Sequence, residues 1–226
     1  MGVLKAAWWI ARKDLAVEIR SRELIYTAMF FAVACLLIFA FAFVEGRTTI
    51  RNAPAGILWI TIVFSGTLAL GRTFERERQA ETLRALLMTP VERPAIYLGK
   101  LLSLLILLGS IQVVVVPLVG LLFGAPILRA PFMLMGLLAL GTTGFATVGT
   151  LFAAMLTRTS SRDVLLPVVL YPMSLPALVG GMQGTLWIFA AEPNYELVQT
   201  WLAMLVFFDA VFLTLALWTF APVMGE

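Results

Sequence analysis

The chain has 226 residues, 61% hydrophobic and only 13% charged, with a mean hydropathy of +0.98. Soluble domains carry about 25% charged residues, so this excludes a water-soluble globule and requires lipid to solvate much of the surface. The net charge of +3 is the excess left by cytoplasmic loops of a membrane protein, not a nucleic-acid footprint.

The length fits one membrane domain, residues 1–226, with no room for a separate soluble enzyme domain. The single cysteine, Cys35, lies in an apolar run, which rules out an internal disulfide or a cysteine-clustered metal. With no histidine, the chain cannot supply a histidine general base, an HExxH zinc site or a histidine ligand to haem.

Residues 1–23 precede the first long apolar run and carry charge, which argues against a cleaved signal peptide. They read as an interfacial helix with Ala6, Ala7, Ile10, Asp14, Val17 and Arg20 in rough helical register, and with Trp8 and Trp9 in the headgroup zone. The runs 24–44 and 53–71 are each long enough to cross a bilayer.

The connection 72–94 alternates charge every third residue: Arg72, Glu75, Arg78, Glu81 and Arg84. On a helix these are neighbours that support one another. Leu83, Leu86 and Leu87 add an apolar patch, and Pro90 and Pro94 end the helix. Two readings fit equally: a solvated connector whose arginines enforce topology, or a coupling helix that docks on a soluble partner. Just upstream, Gly66, Gly71, Arg72 and Thr73 almost fit a phosphate-binding loop. Arg72 stands where that loop needs lysine, however, and the segment ends a membrane helix. ATP hydrolysis would therefore belong to another chain.

The third span, 95–123, is interrupted only by Lys100, Gln112 and Pro117, and Lys100 can snorkel to the cytoplasmic side. The fourth, 132–156, spaces Thr142, Ala146, Thr150 and Ala154 four apart, with Gly149 and Ala153 beside them, a pattern of close helix packing. The fifth, 164–182, contains Pro167, Pro172 and Pro176, followed by Gly180, Gly181 and Gly184. Each interior proline removes a backbone hydrogen bond, so a broken span with a helix-breaking hinge is expected, and 183–196 is expected to be an external loop, re-entrant in form. The alternative is a kinked but ordinary helix.

The sixth span, 197–220, carries Asp209 near its middle. An intramembrane carboxylate is costly and faces protein or a cavity. It fits a proton site, a polar pathway lining, a partner for a cation on another subunit, or a structural carboxylate at a helix contact. The chain thus reads as an all-α integral membrane protein, a six-transmembrane-helix bundle with no catalytic residue set and no metal site.

Basic residues orient it. Lys5, Arg12, Lys13, Arg20 and Arg22 precede the first span, Arg72, Arg76, Arg78, Arg84 and Arg93 lie between the second and third, and Arg158 and Arg162 between the fourth and fifth. Only Arg47, Arg51 and Arg129 lie opposite. The positive-inside rule puts both termini in the cytoplasm.

Several stretches together resemble a known family. They are Ala53 to Trp59, Leu68 to Arg72, Phe74-Glu75-Arg76-Glu77, Leu86 to Pro90, Ala95 to Lys100, Lys13-Asp14-Leu15 with Glu18 and Arg20, and Val168 to Pro176. In order and spacing they resemble cytochrome c maturation protein B, also called haem exporter protein B, over the whole chain. Asp209 matches no motif of that family.

The resemblance implies an ABC-2-type permease subunit in the bacterial inner membrane. Its implied partners are a cytochrome c maturation protein A-type ATPase, proteins C and D of the same system, the haem chaperone protein E, and a homodimer mate. It implies haem handled by the complex, ATP on the partner subunit and no cofactor bound by this chain alone. It places ATPase coupling on Arg72, Phe74, Glu75, Arg76, Glu77, Arg78, Glu81 and Arg84. Without histidine the chain could ligate haem only through Met, Tyr or Cys35, which favours a conformational role, such as ATP-driven release of the loaded chaperone. Rivals are an ABC-2-type exporter of another substrate and a non-transporting assembly scaffold.

Overall fold

The computed structural model describes residues 2–44, 53–79, 92–156 and 162–223, and the side chains of 2–43, 53–71, 92–156 and 164–220. Among these residues there are seven helices in chain order: α1 (Val3–Ser21), α2 (Glu23–Val44), α3 (Ala53–Gln79), α4 (Arg93–Phe123), α5 (Pro131–Met155), α6 (Arg162–Phe189) and α7 (Tyr195–Val223). Six are long and apolar enough to cross a membrane, α2 to α7. α2, for example, is 22 residues long, or about 33 Å at 1.5 Å per residue, against a hydrocarbon core of about 30 Å.

Lipid-facing and protein-facing sides follow helical spacing. In α2 the buried residues are Leu24, Ala28, Ala32 and Leu36, four apart and so a single stripe, while Tyr26, Phe30, Ile38 and Phe41 project outward. α3 is central and packs against α2, α4, α5 and α6.

Its seam with α5 is built on glycine. A Cβ at Gly141 would strike the Trp59 ring, one at Gly66 would lie 2.6 Å from Phe145, and one at Gly149 would strike Leu70. The small residues Thr142, Ala146, Gly149, Thr150, Ala153 and Ala154 are all buried, so this face of α5 serves close packing. Trp59 is also wedged against Gly181 of α6. Its indole N–H donates to Thr185 Oγ1 at 3.0 Å, and that hydroxyl donates in turn to the Gly181 carbonyl at 2.7 Å. On α4, Gln112 hydrogen-bonds Thr142 of α5.

The fifth span differs from the expected broken form. α6 is one helix from Arg162 to Phe189 with Pro167, Pro172 and Pro176 inside it, and the turn to α7 is confined to residues 190–194, so 183–196 is not a re-entrant loop. The reason is the solvent. In hydrocarbon, a backbone group freed from its helix finds no water, so unwinding around a proline costs more than the bond the proline removes. The glycines that follow are contact points: Gly180 faces Leu205, Gly181 faces Trp59 and Gly184 faces Leu137.

Elsewhere, ends are closed by ordinary caps. Gly124 takes a left-handed φ of 64° after α4, and Asn194 Oδ1 accepts from Leu197 N at 3.1 Å at the start of α7.

Gly141→Ala should lower stability by about 1–3 kcal/mol through overpacking on Trp59. Gly109→Ala, where no atom lies within 4 Å of the added carbon, should be neutral or stabilising by up to about 1 kcal/mol. Thermal unfolding of both variants in detergent checks the contrast.

Candidate functional site

α3 does not stop where its apolar run stops. The membrane-competent stretch is Ala53–Gly71, yet the helix continues to Gln79. Residues 72–79 extend it by about 12 Å. Of the residues expected to couple to an ATPase, Arg72, Phe74, Glu75, Arg76, Glu77 and Arg78 lie on this extension, and their side chains are outside the described residues. Glu81 and Arg84 lie outside them altogether. The segment beginning at residue 72 is thus, in its first turns, a continuation of the second span and not a separate helix.

The same end of the bundle carries α1. Residues as far apart as Ala7 and Asp14 reach consecutive residues of α4, because a Cβ at Gly99 would meet Ile10 and the Ala7 carbonyl while Lys100 Nζ donates to Asp14 Oδ2 at 2.6 Å. α1 is therefore packed on the first turns of α4. Lys100, expected to snorkel towards water, is buried and ends on Asp14. A buried ammonium needs a counter-charge, and α1 brings one.

Glu18 is also buried, and its Oε1 accepts from Ile25 N at 2.9 Å. It thereby caps an open N–H of α2 at the helix end that favours negative charge. Between the two helices Arg22 adopts φ 55° and donates its N–H to the Glu18 carbonyl at 2.6 Å. The buried face of α1 is Ala7, Ile10, Ala11 and Glu18. Val17 and Arg20, expected in the same register as Ile10, are exposed. The roles of Asp14, Glu18 and Lys100 were missed from sequence; the only signal was two acids in a basic, apolar segment and one lysine inside a span.

Two further places in the bundle hold candidate residues. A cleft of about 380 Å³ lies between α3 and α6, lined by Trp59, Ile60, Phe64, Tyr171, Leu175 and Met182 among others. None of its lining residues is charged, and the Tyr171 hydroxyl hydrogen-bonds Thr67 Oγ1 at 3.2 Å. Pro172 and Pro176, two of the expected hinge prolines, lie within this stretch of α6 in unbroken helix; Pro167 lies one turn earlier.

Asp209 of α7 is buried against Gly144 of α5, where a Cβ would lie 2.8 Å from Oδ1. Neither carboxylate oxygen has a hydrogen-bond partner among the described residues. It is not brought together with any other residue predicted to act, and among the described residues no group of acids, cysteines or histidines could hold a metal ion.

Breaking the Asp14–Lys100 pair from one side leaves a buried charge alone, so Asp14→Leu should cost roughly 3–5 kcal/mol, and the double variant Asp14→Leu/Lys100→Leu should recover most of that. Thermal unfolding of the single and double variants gives the coupling. Asp209→Asn keeps the shape without the charge and should accumulate in membranes at wild-type level. Asp209→Lys, a larger cation at the same unpartnered site, should not; immunoblotting of membrane fractions decides.

Comparison with known proteins places these features in a lineage. A family model described as the CcmB protein matches residues 5–224. The Heme exporter protein B of Pseudomonas aeruginosa is 25% identical over 180 residues, 78% of this chain and 80% of that one. The Heme exporter protein B of Paracoccus denitrificans is 30% identical over 154 residues, 68% and 70%, and that of Escherichia coli K12 is 31% identical over 97 residues, 42% and 44%. With a match that spans nearly the whole chain, the protein belongs to the CcmB protein family.

Proposed function

We propose that the chain is the membrane subunit of a haem exporter complex of cytochrome c maturation, and that it converts ATP hydrolysis on a separate subunit into movement of its own helices. The names of its relatives support the haem exporter system, and six membrane-competent helices support a multi-pass bacterial membrane protein. The observation that carries the mechanical part is α3, a single helix from the Trp59 wedge out to Gln79.

In this reading Arg72, Phe74, Glu75, Arg76, Glu77 and Arg78, with Glu81 and Arg84 beyond them, dock on a cytochrome c maturation protein A-type ATPase. The extension acts as a lever on the bundle. The end carrying this segment and α1 faces the cytoplasm in this reading, which the placement of its basic residues supports. ATP stays on the ATPase. Haem is cargo of the complex, shared with proteins C and D and the chaperone protein E, and this chain holds no cofactor of its own.

The lining of the cleft between α3 and α6 has no charged residue to pair with a porphyrin's propionates, which favours a conformational role over haem holding even though Tyr171 and Met182 are of the types that can ligate iron. Pro167, Pro172 and Pro176 act in this scheme as bending points of α6. Each lacks one backbone bond that would otherwise resist flexing.

Reversing charge with Glu75→Lys/Glu77→Lys should leave membrane insertion intact and reduce ATPase co-purification at least tenfold, as expected for loss of about 1.4 kcal/mol or more of docking energy. Unchanged co-purification would overturn the docking assignment.

A further inference from the structure

The interfacial helix α1 separates its charges by face. Its acids are used inside the protein: Asp14 on Lys100 and Glu18 as the cap of α2. Its bases Lys5, Arg12, Lys13 and Arg20 are all exposed. Lys13 lies 3.1 Å from Asp14, but among the described residues no carboxylate pairs with Lys5, Arg12 or Arg20.

Helical spacing sorts the exposed residues further. Lys5, Trp9, Arg12 and Arg20 form one stripe, and Arg12 lies 5.4 Å from the Trp9 ring centre. Leu4, Trp8, Leu15 and Ile19 form the stripe beside it. Leu4, Trp8 and Ile19 are 80%, 52% and 64% exposed and Leu15 is half-buried, so among the described residues little covers this apolar stripe. The third face, with Ala7, Ile10 and Ala11, is docked on the bundle.

The position of α1 selects the partner. One residue, Arg22, separates α1 from the membrane helix α2, and α1 packs on α4 near that helix's own start. An apolar stripe held at that level sinks into the acyl boundary, and the cationic stripe next to it then lies among headgroup phosphates. A soluble acidic protein would satisfy the bases but leave the apolar stripe uncovered. We propose that the exposed face of α1 is a binding site for anionic phospholipids of the membrane in which the chain sits. Because α1 also holds Gly99 and Lys100, lipid bound there steadies the start of α4.

The test uses the full chain in lipid nanodiscs of phosphatidylcholine with phosphatidylglycerol. Native mass spectrometry counts the lipids retained by the wild type and by Lys5→Gln/Arg12→Gln/Arg20→Gln. Each headgroup contact is worth roughly fivefold. The variant should therefore lose its preference for phosphatidylglycerol by up to about a hundredfold, and the wild-type preference should fade in high salt. Equal preference in both proteins overturns the proposal. So does unchanged lipid preference with loss of a soluble partner, which would assign the face to protein. A second measurement needs no variant: hydrogen exchange of residues 3–21 in the wild type should slow when phosphatidylglycerol is added to phosphatidylcholine, and unchanged exchange overturns the proposal as well.

Discussion

Lipid tails are as apolar as leucine, so helices inside a bilayer gain little from simply leaving their solvent. They associate through close packing and a few hydrogen bonds. That constraint explains why the centre of this bundle is built around glycines. Trp59 presents the largest flat surface in the interior of α3, and it fits only because Gly141 and Gly181 carry no Cβ on either side. Its hydrogen bond to Thr185 adds direction: such bonds are worth about 0.6 kcal/mol in membrane interiors, too little to hold the fold but enough to select one orientation of an asymmetric ring. The remaining seams repeat the device, with Phe145 on Gly66, Leu70 on Gly149 and Leu137 on Gly184.

The same solvent decides what could be read from the sequence. A membrane span announces itself by length and hydropathy, properties of contiguous residues, so α2, α4, α5 and α7 begin and end close to their apolar runs, while α3 begins with its run and continues past it to Gln79. α6 misleads because its prolines and glycines carry the meanings they have in water, where unwound backbone is hydrated. In lipid those meanings change: the prolines remain in helix and the glycines make room for Trp59, Leu137 and Leu205. The partner residues come from α3, α5 and α7, distant in sequence, and no local pattern announces them.

α1 shows a second limit. An apolar register puts Val17 inside and leaves Glu18 out, yet Glu18 is buried because an unfilled N–H at the start of α2 needs an acceptor. Asp14 and Lys100 are each unremarkable alone, and their meaning appears only when α1 packs on α4. The fold of the spans was thus legible, and the arrangement at the charged end was not.

That end joins the two halves of the chain mechanically. Between Trp59 and Gln79 α3 is one continuous helix without proline, and the Ser65–Gly66 pair, a kind of site where helices kink, stays helical within it. A displacement imposed on residues 72–79 must then tilt or shift the helix as a body. The body cannot shift gradually, because Trp59, Gly66 and Leu70 are each interlocked with α5, and Trp59 also with α6. In the lever mechanism proposed above these contacts would hold or release together, as closely packed seams favour discrete arrangements. α6 is the natural partner in such a change. It carries the other half of the Trp59 seat, and its three prolines leave it with fewer backbone bonds opposing a bend than any neighbour.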